Sequence, residues 1–103
     1  MKALIIGAAR SGTAITKLLL KQGYQCTLID TKNVGDKQLW KQLGVVIHEG
    51  EHPTVLWHED FDLIVKNPGI SHHDPFIVGF VQRGHVILTE IEVAARFAPN
   101  YRY

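Results

Sequence analysis

Three short segments of this 103-residue chain put chemically useful residues at the ends of apolar runs. Gly7-Ala8-Ala9-Arg10-Ser11-Gly12 follows the run Ala3 to Ile6. Asp30-Thr31-Lys32 closes the run Cys26 to Ile29, and Asn67-Pro68-Gly69 comes shortly after Phe61 to Val65. A glycine-bearing turn that opens a helix can cradle a phosphate with backbone amides and the helix dipole. Arg10, Ser11 and Gly12 occupy that turn, and the Ser11 hydroxyl adds a donor. A carboxylate at the end of the next strand can accept from a sugar hydroxyl or a base N–H. It would repel a 2′-phosphate, which argues against NADP. The Lys32 stem can lie over a base with its charge in water. Asn67 carries both donor and acceptor atoms, and Pro68 and Gly69 fix its loop. The chemistry expected is binding of a nucleotide-type ligand. Structural assignments compete at each place: close packing for Gly7 and Gly12, a loop cap for Asp30, a plain turn for Asn67-Pro68-Gly69.

Other chemistries find little support. In a dinucleotide fingerprint, Gly-x-Gly-x-x-Gly, the middle glycine lets the backbone approach a pyrophosphate; Ala9 takes that place here. His48 and His52 are four apart, and His72 and His73 are adjacent. Neither pair has a Cys or carboxylate at metal-ligand spacing, so no metal site is expected. Glu90 and Glu92 are two apart and do not face each other on a helix, so they are not an acid–base pair. The chain has no Gly-x-x-x-x-Gly-Lys-Ser/Thr loop and no nucleophile elbow. A formal net charge of +1 gives no case for nucleic acid or an anionic membrane. The apolar runs are too short to span a bilayer, and no signal peptide is visible. The single Cys26 reads as a buried small hydrophobe in a reducing, cytoplasmic compartment.

The elements that must position these residues alternate. Ala3 to Ile6 has no polar alternation, as in a parallel strand covered on both faces. A helix from about Ser11 carries Ile15, Leu18, Leu19 and Leu20 inward and ends at Gly23. Residues 25–30 form a second strand. Gln38 to Leu43 is a short helical turn with Leu39, Trp40 and Leu43 on one face, and Val45 to Ile47 a third strand. Residues 48–60 are poorly patterned, with one short helix around Val55 to Trp57. Phe61 to Val65 is the fourth strand. Asp74 caps a helix with Pro75 in its first turn and Phe76, Ile77, Phe80 and Val81 inward. His85 to Leu88 is the fifth strand. Thr89 and Glu92 then form a capping box on a last helix that buries Ile91, Ala94, Ala95 and Phe97. Five strands alternating with helices predict an α/β, Rossmann-like, doubly wound parallel sheet of order 3-2-1-4-5, with helices on both faces. That order makes the first and fourth strands neighbours, so the Gly7 and Asn67 loops flank one crevice.

With those segments in view, the chain resembles the N-terminal domain of the Mur ligases, and among them the branch that adds D-glutamate. The resemblance rests on Gly7 to Ala14, Asp30-Thr31-Lys32, Asp62 to Ile70, and Gly84 to Glu92. It implies that the domain holds the UDP part of UDP-N-acetylmuramoyl-L-alanine. Amides near Arg10, Ser11 and Gly12 would hold the pyrophosphate. Asp30 would take the uracil edge, flanked by Thr31 and Lys32. Asn67, Pro68 and Gly69 would line the uridine and diphosphate side. Asn67 stands where the family often has Ser. The resemblance further implies a cytoplasmic enzyme of peptidoglycan synthesis that uses ATP and Mg2+ in central and C-terminal domains. No cofactor would be bound by the present domain, and this domain alone would not be catalytic. Residues 1–98 are the expected UDP-substrate domain. Residues 99–103 would start a linker to the ATPase domain. Two alternatives remain at this level: a non-catalytic regulatory module binding NAD or another adenine nucleotide, and a domain kept for packing or dimer contact.

Overall fold

Strand β1 (Lys2–Ile6) is buried from its second residue to its last, because side chains on both of its faces meet packed layers. The computed structural model describes residues 1–7, 10–30, 37–50, 54–67 and 69–97, with the side chains of residues 10–12 also outside the described set. Helix α1 (Arg10–Lys21) crosses to β2 (Gln25–Asp30), and α2 (Lys37–Gln42) crosses to β3 (Val46–Glu49). A 3-10 turn, Thr54–His58, precedes β4 (Leu63–Lys66). Helix α3 (Pro75–Gln82) leads to β5 (Ile87–Thr89), and α4 (Glu90–Phe97) follows at once. The sheet order is β3-β2-β1-β4-β5, every pair parallel, as the alternation of elements predicts.

Two apolar cores sandwich the sheet. On one side Ala3, Ile5, Cys26, Leu28, Leu63 and Val65 meet Ile15, Leu19, Trp40 and Val93 from the helices. On the other, Leu4, Ile6, Ile29 and Ile64 meet Leu56 of the 3-10 turn and Phe76, Ile77 and Phe80 of α3. Each fully buried side chain of this size contributes roughly 1.5–3 kcal/mol. Burial also raises the Cys26 thiol to about 11, so it remains a neutral hydrophobe.

The caps follow the sequence. The Asp74 carboxylate accepts from the Phe76 N–H at 2.9 Å, with Pro75 in the first turn of α3. The Thr89 N–H and hydroxyl both donate to Glu92 Oε1, at 3.1 and 3.0 Å, and the Glu92 N–H returns to Thr89 Oγ1 at 3.3 Å. This reciprocal box starts α4 with no residue between it and β5.

Three expected inward faces differ from the structure. In α2 only Trp40 is buried, whereas Leu39 and Leu43 are exposed. A helix of six residues beside the outer strands has room for one side chain against the sheet. In α3, Val81 is exposed and Gly79 is buried in its place. A Cβ on Gly79 would lie 2.2 Å from Trp57 Cε2, so the indole packs on bare backbone. The Trp57 indole N–H donates to the Phe76 carbonyl at 3.0 Å, and the Arg83 guanidinium covers the ring at 4.6 Å. In α4, Ile91 and Ala95 point outward. The buried stripe is Glu90 and Val93, with Ala94 and Phe97 half-buried, the i, i+3, i+4, i+7 spacing of one helix face. Three strands begin later than expected: β3 at Val46, running on to Glu49, β4 at Leu63, and β5 at Ile87.

Candidate functional site

Gly7 is the residue on which the carboxyl edge of the sheet converges. Its N–H donates to the Ile29 carbonyl at 2.8 Å, tying the end of β1 to β2. Its φ is +99°, a backbone conformation that side chains other than hydrogen rarely adopt. A Cβ there would stand 2.7 Å from Asn67 Cβ and 3.3 Å from Ile70 Cδ1. The turns after β1 and β4 are therefore in direct contact, as the strand order requires. Asn67 continues the ladder, its N–H donating to the Ile6 carbonyl at 2.9 Å.

The turn after β4 is held by its own polar groups. Asn67 Oδ1 accepts from the Gly69 N–H at 2.8 Å, and the Asn67 carbonyl accepts from the Ile70 N–H at 3.0 Å. The Lys66 ammonium donates to the Ile70 carbonyl at 2.8 Å. Its side chain is only 3% exposed, which sequence reasoning did not anticipate. A lysine ahead of Asn-Pro-Gly reads as surface. The one contrary signal was its place at the end of an otherwise wholly apolar strand.

Asp30 closes β2 on the opposite side of Gly7. The register sets Ile29 against Ile6 and Asp30 against Glu49. The Asp30 carbonyl accepts from the Gly50 N–H at 2.9 Å, and its side chain is half-buried. Lys37 pairs with Glu49 at 2.6 Å. That pair is partly exposed and worth at most about 1 kcal/mol. Asp30 and Asn67 thus bracket Gly7 across two strand spacings, roughly 10 Å of backbone. Helix α1 begins at Arg10, so its first-turn amides belong to the same edge. Thr31, Lys32 and Pro68 lie outside the described residues, as do the side chains of Arg10 and Ser11. The geometry brings together the Gly7, Asp30 and Asn67–Gly69 positions: a helix start suited to an anion, a carboxylate acceptor, and an amide with a preset turn.

Two other features lie apart from this edge. Glu90 is 5% exposed, and its Oε1 has no hydrogen-bond partner among the described residues. It opens the inward stripe of α4 beside the end of β5. A cavity of about 400 Å3 lies beside β2 and β3, lined by Lys2, Thr27, Val46, His48, Leu56 and Glu59. It reaches the amino ends of the strands, away from the carboxyl edge that bears Gly7, Asp30 and Asn67. Among the described residues no group of three or more His, Cys, Asp or Glu side chains could hold a metal ion, and no helix is long and apolar enough to cross a membrane.

Comparison with known proteins bears on the same residues. A family model for the Mur ligase MurD-like N-terminal domain matches residues 1–89. That span takes in all three turns. Among curated proteins, the UDP-N-acetylmuramoylalanine–D-glutamate ligase of Lactobacillus delbrueckii subsp. bulgaricus is 43% identical over 95 residues, 88% of this chain and 21% of the relative. The enzyme of the same name from Geobacillus kaustophilus is 38% identical over 96 residues, 90% of this chain and 21% of the relative. That from Enterococcus faecalis is 39% identical over 100 residues, 94% and 22%. The chain thus spans about a fifth of the length of the curated relatives it matches. A match over most of the chain, on a sheet of the expected order, makes this chain a member of the family of MurD-like Mur ligase N-terminal domains.

Proposed function

We propose that this chain is the substrate-binding domain of an ATP-dependent ligase that joins D-glutamate to UDP-N-acetylmuramoyl-L-alanine in peptidoglycan synthesis. The observation that carries the proposal is the contact of the Gly7 and Asn67 turns beside Asp30, at the edge where open α/β sheets bind ligands. The UDP moiety fits it in parts. The diphosphate would lie at the start of α1, on the amides of Arg10, Ser11 and Gly12. The uracil would meet Asp30, with Thr31 and Lys32 flanking it. Asn67, Pro68 and Gly69 would close the side next to the diphosphate.

The domain's own contribution is to bind and orient. ATP and Mg2+ would be bound by other parts of the proposed parent enzyme; this sequence carries no Gly-x-x-x-x-Gly-Lys-Ser/Thr loop. The parent would act in the cytoplasm, as the family resemblance implies, and the present domain alone would catalyse nothing.

Titration followed by NMR and calorimetry tests the proposal, with UDP-N-acetylmuramoyl-L-alanine and NAD side by side. Shifts gathered at Arg10, Ser11, Asp30 and Asn67 with the UDP ligand are expected. NAD binding in its place, or no shifts at millimolar UDP ligand, refutes the assignment. Asp30→Ala removes a charged acceptor worth roughly 1.5–3 kcal/mol, so uridine recognition should weaken about tenfold or more. Unchanged affinity would remove Asp30 from the site.

A further inference from the structure

We propose that Lys66 is a positioning residue for phosphate-bearing ligands: from beneath the 67–70 turn its ammonium fixes Asn67 and Gly69 and biases the crevice toward a nucleoside diphosphate over the bare nucleoside. The inference rests on the site proposed above and assigns a role to a residue outside it.

Lys66 ends β4 in register with Ile6 and Thr89, at the edge where the crevice lies. Its side chain is 3% exposed. An ammonium carries three donors, and among the described residues its hydrogen bond is to the Ile70 carbonyl at 2.8 Å. It forms no ion pair among the described residues; the other buried charge, Glu90, is not paired with it. A desolvated cation without a counter-charge is costly to hold. Burial also weakens the screening of its field. That field falls on the crevice, because Ile70, whose carbonyl it holds, approaches the Gly7 backbone, and Asn67 touches it. An anion bound above the turn supplies the missing counter-charge. A neutral nucleoside does not.

The same bond has a geometric effect. Among the described residues three hydrogen bonds close the turn: Gly69 N–H to Asn67 Oδ1, Ile70 N–H to the Asn67 carbonyl, and Lys66 to the Ile70 carbonyl. The lysine bond anchors the turn to the strand below it. Removing the ammonium frees the far end of the turn and discards the positive charge together.

The test measures UDP and uridine affinities by calorimetry in the full chain, as wild type, Lys66→Met and Lys66→Arg. Methionine keeps much of the stem and removes both donor and charge. UDP binding by Lys66→Met should fall about tenfold or more, while uridine binding stays within about twofold. Lys66→Arg retains charge and donors and should keep the UDP-to-uridine ratio within about threefold of wild type. If Lys66→Met keeps the wild-type ratio, whether both affinities hold or both fall together, the residue is only structural and the inference is wrong. Should circular dichroism find Lys66→Met unfolded, Lys66→Arg decides: a preserved ratio supports the role, and a collapsed ratio overturns it. Wild type that binds neither ligand defeats the site assignment itself. Wild type that prefers UDP, with an unchanged ratio in Lys66→Met, defeats only the role of Lys66.

Discussion

Replacing Gly7 with alanine separates two contributions that usually come mixed. At φ +99° an alanine is strained by about 1–2 kcal/mol. Its methyl would also stand 2.7 Å from Asn67 Cβ. Carbon atoms pack at about 3.5–4.0 Å, so the Asn67 turn must retreat by roughly 1 Å. Overpacking of that kind costs about 1–3 kcal/mol. The expected loss for Gly7→Ala is therefore about 2–5 kcal/mol, a large share of the 5–15 kcal/mol that holds a domain folded. Gly84 is the matched control. Its φ is +88°, and no described residue lies within 4 Å of where its Cβ would be. Gly84→Ala should cost only the strain, about 1–2 kcal/mol. Urea denaturation of both variants, with unchanged m-values, reads the difference as the price of separating the two turns. The difference should reappear in binding. Gly7→Ala should lose UDP affinity tenfold or more, since a 1 Å displacement is enough to spoil a bound geometry. Gly84→Ala should bind as wild type does. Equal destabilisation by the two substitutions, or intact UDP binding by Gly7→Ala, would refute the contact between the turns as the basis of the site.

Two further outcomes follow from packing and capping. Gly79→Ala should expel the Trp57 indole, break its bond to the Phe76 carbonyl, and destabilise the chain by about 1–3 kcal/mol; tryptophan emission should shift to the red, and an unshifted spectrum would contradict the close stacking. The Thr89 N–H and then its hydroxyl hold the Glu92 carboxyl below the usual carboxylate range. Because the folded value is the lower one, the stability Glu92 contributes is complete above about pH 4.3 and is lost as the pH falls through the folded value. Glu92→Gln should therefore make the acid side of a stability–pH curve less steep, and an identical slope would mean the box does not form.

The sheet was legible because its strands carry uninterrupted apolar residues and its helices end at glycines. The contact of the Gly7 and Asn67 turns was legible for a topological reason: order 3-2-1-4-5 makes neighbours of two turns that are far apart in sequence. What escaped were places where tertiary packing overrides residue type. Glu90 occupies an inward position on α4, so a search for apolar spacing slides one residue to Ile91 and misreads the face. Gly79 reads as a weak helix residue, but its lack of a side chain is what admits Trp57. Lys66 reads as surface, and its burial depends on the turn that folds over it. Gly79 depends on a partner 22 residues away, Trp57, which local pattern cannot reveal. Arg10, Ser11, Thr31, Lys32 and Pro68 enter the proposed site on the strength of their motifs, since their side chains lie outside the described residues.

The seam between β1 and β4 also has a consequence for the order of folding. The Lys2 N–H donates to Asp62 Oδ2 at 2.7 Å across a separation of 60 residues, and the Asp62 N–H returns to the Lys2 carbonyl at 2.8 Å. The other strand pairs join segments much closer along the chain. Closing the longest loop carries the largest entropic cost, and distant pairings slow folding. The two ends of β1 and β4 that bear Gly7 and Asn67 meet only when that loop has closed. The β1-α1-β2-α2-β3 half is expected to form first on its more local pairings, and it carries Asp30 but not Asn67. A ligand that spans both walls therefore binds only the completed sheet, and in binding it stabilises the seam with the greatest distance to close.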